Sequence, residues 1–262
     1  MKFGFIGAGN MAGAMIQSAL NHNFSKQDLL VCDLDAQKAA ATGASVMPDA
    51  QSVCRNADII LLAVKPNAVK SVLQSVGQRL EGKALVSIAA GLSTNYLASC
   101  LPDTVRICRI MPNTPLLVGE GAIAISAQHT LAEAEFEAVR AFFAVMGKVC
   151  CVQESMMDAV TGLSGSGPAY VYRMIEALSD AGVMEGLTRD AANLLAAQTV
   201  LGAARMVVET GTHPAALKDA VTSPGGTTIQ GLYALERNGF YGAVMQAVHD
   251  GTQRSQELGK QQ

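Results

Sequence analysis

The first twelve residues constrain this chain more than any other stretch. Lys2 to Ile6 are a short apolar and β-prone run, and Gly7 to Ala12, with the sequence GAGNMA, follow directly before a helical pattern. A strand that passes through G-x-G-x-x-A into a helix brings free backbone N–H groups and the positive end of a helix together, where a pyrophosphate can bind. Gly7 would form the turn, and Gly9 would let the backbone approach the phosphates. The motif predicts dinucleotide binding; a glycine turn that binds nothing is the alternative.

An acidic residue follows the second predicted strand. Leu29 to Cys32 are predicted to form that strand, and Asp33 comes next. A carboxylate at this point commonly accepts hydrogen bonds from the adenosine ribose, and there its charge would disfavour a 2′-phosphate and favour NADH over NADPH. Alternatively, Asp33 or Asp35 caps the helix that is predicted to begin near Ala36. The sequence leaves both roles open.

Three further apolar runs predict strands buried in a parallel sheet, at residues 57–64, 84–89 and 104–110. Each run ends in a loop of small residues or proline, and these loops begin at Lys65-Pro66, Ala90-Gly91 and Met111-Pro112. Ligands of open α/β sheets lie at the carboxyl ends of the strands, so the loops are expected to form one rim of a site. Asn113, between two prolines, would present its amide to a nicotinamide or a substrate, or would only form a turn.

The chain changes character at Glu154. Before it, strands are predicted at Gly121 to Ser126 and Lys148 to Val152; after it, strand-like runs give way to four helical segments, at residues 156–186, 189–210, 214–221 and 228–262. This predicts an α/β dinucleotide-binding domain over residues 1–153 and an all-helical domain over 154–262. So few aromatic residues would give the helical domain a thin core by itself, which favours an interlocked dimer.

Two glycine-rich stretches interrupt the helical part. Residues 162–169 lie where one long helix would otherwise run, and such a local inconsistency is typical of a functional or closely packed site. Residues 219–228 add hydroxyl groups, free N–H groups and the start of a helix, which suit a small carboxylate. An interhelical turn is the alternative for the second stretch.

Composition argues against several classes of function. The chain carries a net charge of -3 and no run rich in Lys or Arg, which disfavours nucleic acid as a partner. We see no apolar run of about 20 residues and no signal-peptide pattern, so neither a membrane partner nor export is expected and the chain is predicted to be cytoplasmic. The six cysteines resemble buried free thiols, and the four histidines lack metal-ligand spacing, so no metal site is predicted.

The motifs, taken in order, resemble those of pyrroline-5-carboxylate reductases. The resemblance covers essentially the whole chain and includes GFIGAGNMA at residues 4–12, AVKP at 63–66, SIAAG at 87–91, MPNTP at 111–115, SGSGPAYV at 164–171 and DAVTSPGGTT at 219–228. The last motif is the most specific. The resemblance implies reduction of 1-pyrroline-5-carboxylate to L-proline by NADPH or NADH, the final step of proline synthesis. It also implies a Rossmann-type domain and a helical dimerisation domain that interlocks two subunits, within a homodimer or a larger ring such as a decamer.

The resemblance also implies roles for individual residues. The cofactor would contact Ile6, Gly7, Ala8, Gly9, Asn10, Met11, Ala63, Val64, Lys65, Pro66 and Asn113, and Asp33 is added to them from its position after the second predicted strand. The substrate would contact Ser223, Gly225, Gly226, Thr227 and Thr228, supplied by the partner subunit. Thr228 would be the catalytic residue, donating a hydrogen bond to the ring nitrogen directly or through water. An iminium carbon accepts hydride without a metal or a covalent nucleophile, so orientation and one hydrogen bond suffice.

Two other functions deserve comparison. A 3-hydroxyacid dehydrogenase shares the two-domain plan but requires a lysine within G-x-G-x-x-x-K, and here Val171 stands at the position of that lysine. A nicotinamide-binding sensor without turnover would not require the intact sequence SPGGTT. Both are disfavoured.

Overall fold

An eight-stranded sheet organises the first part of the chain in our computed structural model, which describes residues 1–260. The strands are β1 (Phe3–Ile6), β2 (Leu29–Cys32), β3 (Ser45–Val46), β4 (Ile59–Leu62), β5 (Ala84–Ser87), β6 (Arg106–Met111), β7 (Gly121–Ser126) and β8 (Gly147–Val152). Their spatial order is β3-β2-β1-β4-β5-β6-β7-β8. Strands β1 to β6 are parallel, whereas β7 is antiparallel to β6 and β8 is parallel to β7. The carboxyl ends of the first six strands therefore meet at one edge.

The central strands are buried on both faces, as their continuous apolar sequences predict. All four residues of β1, β2, β4 and β5 are buried. Helices cover the sheet, and their bounds are α1 (Asn10–Asn21), α2 (Ala36–Ala41), α3 (Ala50–Asn56), α4 (Pro66–Val76), α5 (Thr94–Ser99) and α6 (Glu133–Ala144). Pro66 is the first residue of α4, where its fixed φ and missing N–H are tolerated. The prediction of an α/β fold with a dinucleotide-type strand–turn–helix is confirmed.

The chain divides into two compact units. The first contains residues 1–166 and the described residues from His249 onward, and the second is Gly167–Val248. The remaining helices are α7 (Met157–Val160), α8 (Gly167–Met184), α9 (Arg189–Thr210), α10 (Pro214–Ala220), α11 (Thr227–Arg237) and α12 (Phe240–Lys260). The predicted limits of α9 are confirmed: the Thr188 side chain accepts a hydrogen bond from Ala191 N–H, and Gly211 ends the helix at φ +64°.

Small residues let the helices of the second unit approach closely. A Cβ on Gly182 in α8 would lie 3.2 Å from the Cβ of Ala192 in α9, and Ala192 and Ala196 are buried. Among the described helices, α9 is long and apolar enough to cross a membrane; core helices of soluble proteins pass the same test, so this is weak evidence of a membrane span. Most of α9 is exposed in the single chain.

One helix prediction and one burial prediction are wrong, and the interruption predicted within residues 156–186 is confirmed. The helix predicted from Thr228 to the chain end is two helices, because Asn238 and Gly239, with φ +72° at the glycine, separate α11 from α12. The predicted interruption is a π-helical turn at Thr161–Gly165, which overlaps the glycine-rich stretch at residues 162–169. Two cysteines expected to be buried, Cys150 and Cys151, are exposed because they lie on β8, at the edge of the sheet.

An ion cluster around the buried Arg109 connects distant parts of the first unit. Arg109 on β6 is 5% exposed and lies 3.2 Å from Glu154 Oε1 and 3.7 Å from Asp158 Oδ1. Thr94 N–H donates to Glu154 Oε1 at 3.1 Å, and Ser255 Oγ donates to Asp158 Oδ1 at 2.6 Å. The cluster thus joins β6, the start of α5 and the end of α12.

The cluster predicts a specific dependence of stability on pH. Burial raises the pKa of Glu154, but hydrogen bonds from Ser126 and Thr94 and the charge of Arg109 together bring it below its ordinary value of 4.5. A carboxyl whose pKa is lower in the folded state stabilises the fold above pH 4.5, and this stabilisation is lost as the pH falls through the folded-state pKa. Glu154→Gln should lower the free energy of unfolding by about 1–3 kcal/mol at pH 7, which is less than the loss of one partner costs in a fully buried pair. The difference in free energy of unfolding between the variant and wild type should narrow by pH 3.

Melting temperatures at pH 7, 5, 4 and 3 test this expectation. Glu137→Gln is the matched control, because Glu137 is an exposed carboxylate that pairs with Arg140 one helical turn away. The control should follow wild type at every pH. If the difference in melting temperature between Glu154→Gln and wild type stayed constant from pH 7 to pH 3, the result would contradict a lowered pKa of Glu154 in the folded protein.

Candidate functional site

The turn between β1 and α1 requires glycine at its first position. Gly7 has φ +101°, and its N–H donates to the Cys32 carbonyl at 2.9 Å. A Cβ on Gly7 would lie 2.6 Å from the backbone oxygen of Ala63. The glycine therefore allows β1 to pack against the loop that follows β4.

The second glycine of the motif is open to a ligand. Gly9 is the N-cap of α1 and is exposed, and within the described chain no atom lies within 4 Å of where its Cβ would stand. No side chain of residues 1–260 caps this helix end. The first N–H groups of α1 are thus available to an anion, and an added methyl group would fill the approach to them. These residues fit the pyrophosphate of a dinucleotide.

Asp33 fixes the glycine loop. Its Oδ2 accepts a hydrogen bond from Ala8 N–H at 2.6 Å, and its Oδ1 accepts one from Asp35 N–H at 2.9 Å. Asp35, not Asp33, caps α2, since its carboxylate accepts from Gln37 N–H and Lys38 N–H. Of the two roles that the sequence left open, capping therefore falls to Asp35, while Asp33 holds the backbone beside the phosphate site.

A cavity of about 560 Å³ lies at the carboxyl ends of β1, β2 and β4. Seven of the residues predicted to contact the cofactor line it: Ile6, Gly7, Gly9, Asp33, Ala63, Val64 and Lys65. Residues that the sequence reasoning missed also line it: Cys32, Leu34, Lys38, Pro48, Asp49, Ala50, Asn67, Ala68, Val72 and Ser75. Lys38 was detectable in principle, because it lies in the first turn of the helix predicted to begin near Ala36, shortly after Asp33.

The other predicted cofactor residues lie outside this lining. They are Ala8, Asn10, Met11, Pro66 and Asn113. Ala8, Asn10 and Met11 belong to the glycine loop and the first turn of α1, and Pro66 begins α4. Asn113 lies after β6 at the same edge of the sheet and is 7% exposed.

The second glycine-rich stretch forms a tight turn in the helical unit. Gly226 N–H donates to the Ser223 carbonyl at 3.1 Å, and Gly225 has φ +66°. Pro224 followed by a glycine at positive φ is typical of a type II turn. A Cβ on Gly226 would collide with Ser223 Oγ. The turn leads directly into α11, where Thr227 and Thr228 are the first two residues.

The N-terminus of α11 is open. Gly226 is its N-cap, and no side chain of the described residues caps it. The structure thus brings together Ser223, Gly225, Gly226, Thr227 and Thr228 in one turn, with free N–H groups at the positive end of an 11-residue helix. This arrangement can bind a carboxylate without an arginine.

The buried thiols of the first unit are unreactive. Burial raises the pKa of Cys32 to about 11 and those of Cys54 and Cys108 to about 12, which keeps these thiols protonated. Within residues 1–260, we find no group of three or more His, Cys, Asp or Glu side chains that could hold a metal ion.

Comparisons with known proteins agree with both parts of this description. Residues 2–91 match a family described as NADP oxidoreductase, coenzyme F420-dependent, and residues 154–258 match pyrroline-5-carboxylate reductase dimerisation. Pyrroline-5-carboxylate reductases from Methanosarcina acetivorans and Escherichia coli are 43% and 40% identical to the chain; each alignment covers 99% of this chain and 98% of the relative. The crystal structure of Plasmodium falciparum pyrroline carboxylate reductase with NADP bound has a TM-score of 0.90 and 36% identity, over 99% of this chain and 98% of that one.

Proposed function

This chain belongs to the pyrroline-5-carboxylate reductase family, and from that premise we propose which of its residues perform the reaction. The chain is an oxidoreductase that reduces 1-pyrroline-5-carboxylate to L-proline with NADPH or NADH, the last step of proline biosynthesis. The observation that carries the residue assignment is a pair of uncapped helix ends, one at Gly9 and one at Gly226. Each suits one anionic group, a pyrophosphate in the first case and a carboxylate in the second.

The cofactor is assigned to the cavity of the first unit. Backbone N–H groups of residues 9–11 would hold the pyrophosphate, and Gly7, Ala8 and Asp33 would keep that backbone in place. Ile6, Ala63, Val64, Lys65 and Pro66 would border the dinucleotide along the ends of β1 and β4, and Asn113 would border its nicotinamide side. When bound, the reduced nicotinamide supplies the hydride.

The substrate carboxylate is assigned to the N-terminus of α11. Free N–H groups at Thr227 and Thr228 would bind its oxygens, and the turn from Ser223 to Gly226 would shape the pocket. The Thr228 hydroxyl would donate a hydrogen bond to the ring nitrogen, directly or through water. Its contribution is orientation and one hydrogen bond to the lone pair of the neutral imine nitrogen, which polarises the C=N bond toward hydride; the nitrogen takes up a proton from solvent as hydride reaches the carbon.

The helical domain is assigned to dimerisation. Large apolar side chains of the second unit are exposed in the single chain, among them Tyr172, Met184, Leu194, Leu195, Met206, Tyr233 and Met245. Exposure of so many large apolar side chains is typical of an obligate interface. We assign residues 1–153 to cofactor binding and 154–262 to an interlocked homodimer that can build a larger ring such as a decamer, and in which the partner supplies the substrate turn. The exposed faces of α9 then pack on the partner, and the enzyme is cytoplasmic.

Two measurements test the reaction and the assembly. Purified protein mixed with 1-pyrroline-5-carboxylate should oxidise NADPH or NADH, followed by the loss of absorbance at 340 nm. Light scattering should give the mass of a dimer or of a multiple of it. Absence of oxidation with both cofactors would refute the reaction, and a monomeric mass would refute the dimer.

The position of Asp33 predicts an effect on the choice of cofactor. Asp33→Ser should raise kcat/KM for NADPH relative to NADH by roughly fivefold, because removing a carboxylate near a 2′-phosphate is worth on the order of 1 kcal/mol. Lys38, which also lines the cavity, would remain to attract the phosphate. Both values of kcat/KM should fall, since the variant weakens the bonds to Ala8 N–H and Asp35 N–H.

The control is Asp28→Ser, which removes the same charge from the segment that precedes the other end of β2. Steady-state kinetics give kcat/KM for NADPH and for NADH, and hence their ratio, for wild type, Asp33→Ser and Asp28→Ser. An unchanged ratio in Asp33→Ser, with both values lowered, would assign Asp33 to loop positioning alone.

A further inference from the structure

The glycine-rich stretch at residues 162–169 contains a π-helical turn. Thr161 to Gly165 form it, and Ser166 N–H donates to the Thr161 carbonyl, five residues back, at 2.9 Å. Such turns are rare and occur frequently at functional sites. Gly165 allows close packing here, because a Cβ on it would lie 2.7 Å from Met111 Cε. The last residue of β6 therefore contacts the π turn directly.

The carbonyl of Ser164 lacks its usual partner. In an α-helix it would accept a hydrogen bond from the residue four positions later, but that residue is Pro168, which has no N–H. A half-buried carbonyl without a donor destabilises the fold. Asn113 Nδ2 donates to the Ser164 carbonyl at 3.0 Å. The side chain of Asn113 thus supplies the donor that the proline cannot.

The other end of the Asn113 amide is also engaged. Its Oδ1 accepts from Ala122 N–H at 2.8 Å. A backbone N–H can only donate and a carbonyl can only accept, so these two partners fix the orientation of the amide. Asn113 is therefore bonded on one side to β7 and on the other to the π turn.

The strand order would place Asn113 beside the nicotinamide half of a bound cofactor. The loop that contains Asn113 follows β6, and β6 lies on the far side of β4 and β5 from the glycine loop. A dinucleotide whose adenosine ribose is near the end of β2 extends in this direction across the carboxyl edge of the sheet. The nicotinamide would then lie along the loops after β4, β5 and β6.

We propose that Asn113 is a positioning residue for hydride transfer: it holds the Met111–Pro115 loop against the π turn, and so fixes one wall of the nicotinamide subsite without bonding the nicotinamide through its amide. This rests on the cofactor assignment above. Gly165 and Pro168 form the other half of this arrangement, because Gly165 leaves space for Met111 and Pro168 leaves the Ser164 carbonyl without an N–H donor four residues later.

Asn113→Asp is the most direct test. The substitution keeps an acceptor for Ala122 N–H but turns an oxygen toward the Ser164 carbonyl. We expect kcat to fall about tenfold, as for the loss of one hydrogen bond, while the Kd for NADPH, measured by fluorescence titration, stays within about twofold of wild type. Asn56→Asp is the control, since Asn56 Nδ2 also donates to a backbone carbonyl, that of Ser52 at 2.9 Å, but lies at the end of α3, away from the candidate site. It should retain wild-type kcat.

Pro168→Ala provides a second, independent test. It restores an N–H four residues after Ser164, so Asn113→Asp should lower both kcat and the apo-protein melting temperature less in this background than in wild type. This coupling in melting temperature is measurable without cofactor, and it remains informative if Asn113→Asp alone folds poorly. Additive effects of the two substitutions would overturn the proposal.

Two further outcomes would overturn it. A tenfold rise in the Kd for NADPH with unchanged kcat would mean that Asn113 bonds the cofactor directly, and wild-type behaviour of Asn113→Asp would mean that the bond to Ser164 has no role in turnover. Neither concerns the reaction itself. Failure of the proposed function would instead appear as lack of NADPH or NADH oxidation by the wild-type protein in the same assay.

Discussion

Gly9→Ala should weaken NADPH binding roughly a hundredfold while leaving the fold almost unchanged. Gly9 has φ −66° and ψ 178°, a conformation that any residue adopts, and no described atom would touch its Cβ. Alanine is a poorer N-cap than glycine by up to roughly 1 kcal/mol, a loss that leaves the protein folded. The methyl group would nevertheless stand before the free N–H groups of α1, and the loss of two hydrogen bonds to a charged phosphate costs about 3 kcal/mol.

Gly7 and Gly13 provide matched comparisons for this variant. Gly7→Ala should lower both NADPH affinity and stability, because φ +101° is strained for alanine and its Cβ would meet the Ala63 backbone. Gly13→Ala, inside α1 with open space around it, should keep wild-type affinity and gain about 0.5–1 kcal/mol of stability. Fluorescence titration and melting temperatures distinguish the three. NADPH affinity of Gly9→Ala within twofold of wild type would exclude the pyrophosphate from this helix end.

The features that sequence predicted best are those encoded by neighbouring residues. The buried strands follow from continuous apolar runs, and the limits of α9 follow from Thr188 and Gly211. Short elements with weak periodicity, such as β3, α3 and α5, did not stand out, because two to seven residues give little pattern. The break at Asn238 and Gly239 was missed because a single glycine within a helical pattern does not by itself mark a helix end.

The interactions that sequence could not predict join residues far apart in the chain. Asp33 bonds Ala8, 25 residues away, and Asn113 bonds Ser164, 51 residues away. Neither pairing produces a periodic signal, although the residue types were noticed: Asp33 and Asn113 were both singled out as candidate ligands. Their partners show that each holds the backbone of the site in place, which only the folded chain can reveal.

Thr228→Ala should lower kcat/KM by about ten- to more than a hundredfold. If the hydroxyl donates to the ring nitrogen, its bond strengthens as that nitrogen gains electron density during hydride transfer, and loss of such a bond costs roughly 1.5–3 kcal/mol. A role in capping α11 would not produce this effect, because the N-cap is Gly226 and Thr228 is the second residue of the helix. NADPH affinity should barely change, since the cofactor is assigned to the first unit.

Two companion variants make the Thr228 test specific. Thr228→Ser keeps the hydroxyl and should retain most of the turnover. Thr222 lies in the same loop, and its hydroxyl donates to the Lys218 carbonyl at 2.6 Å, so Thr222→Ala should affect stability alone. Measurements of kcat/KM, NADPH affinity and melting temperature on all three separate catalysis from folding. If Thr228→Ala turned over within about threefold of wild type, Thr228 would leave the mechanism, and the N–H groups at the start of α11 would be the substrate-orienting groups that remain.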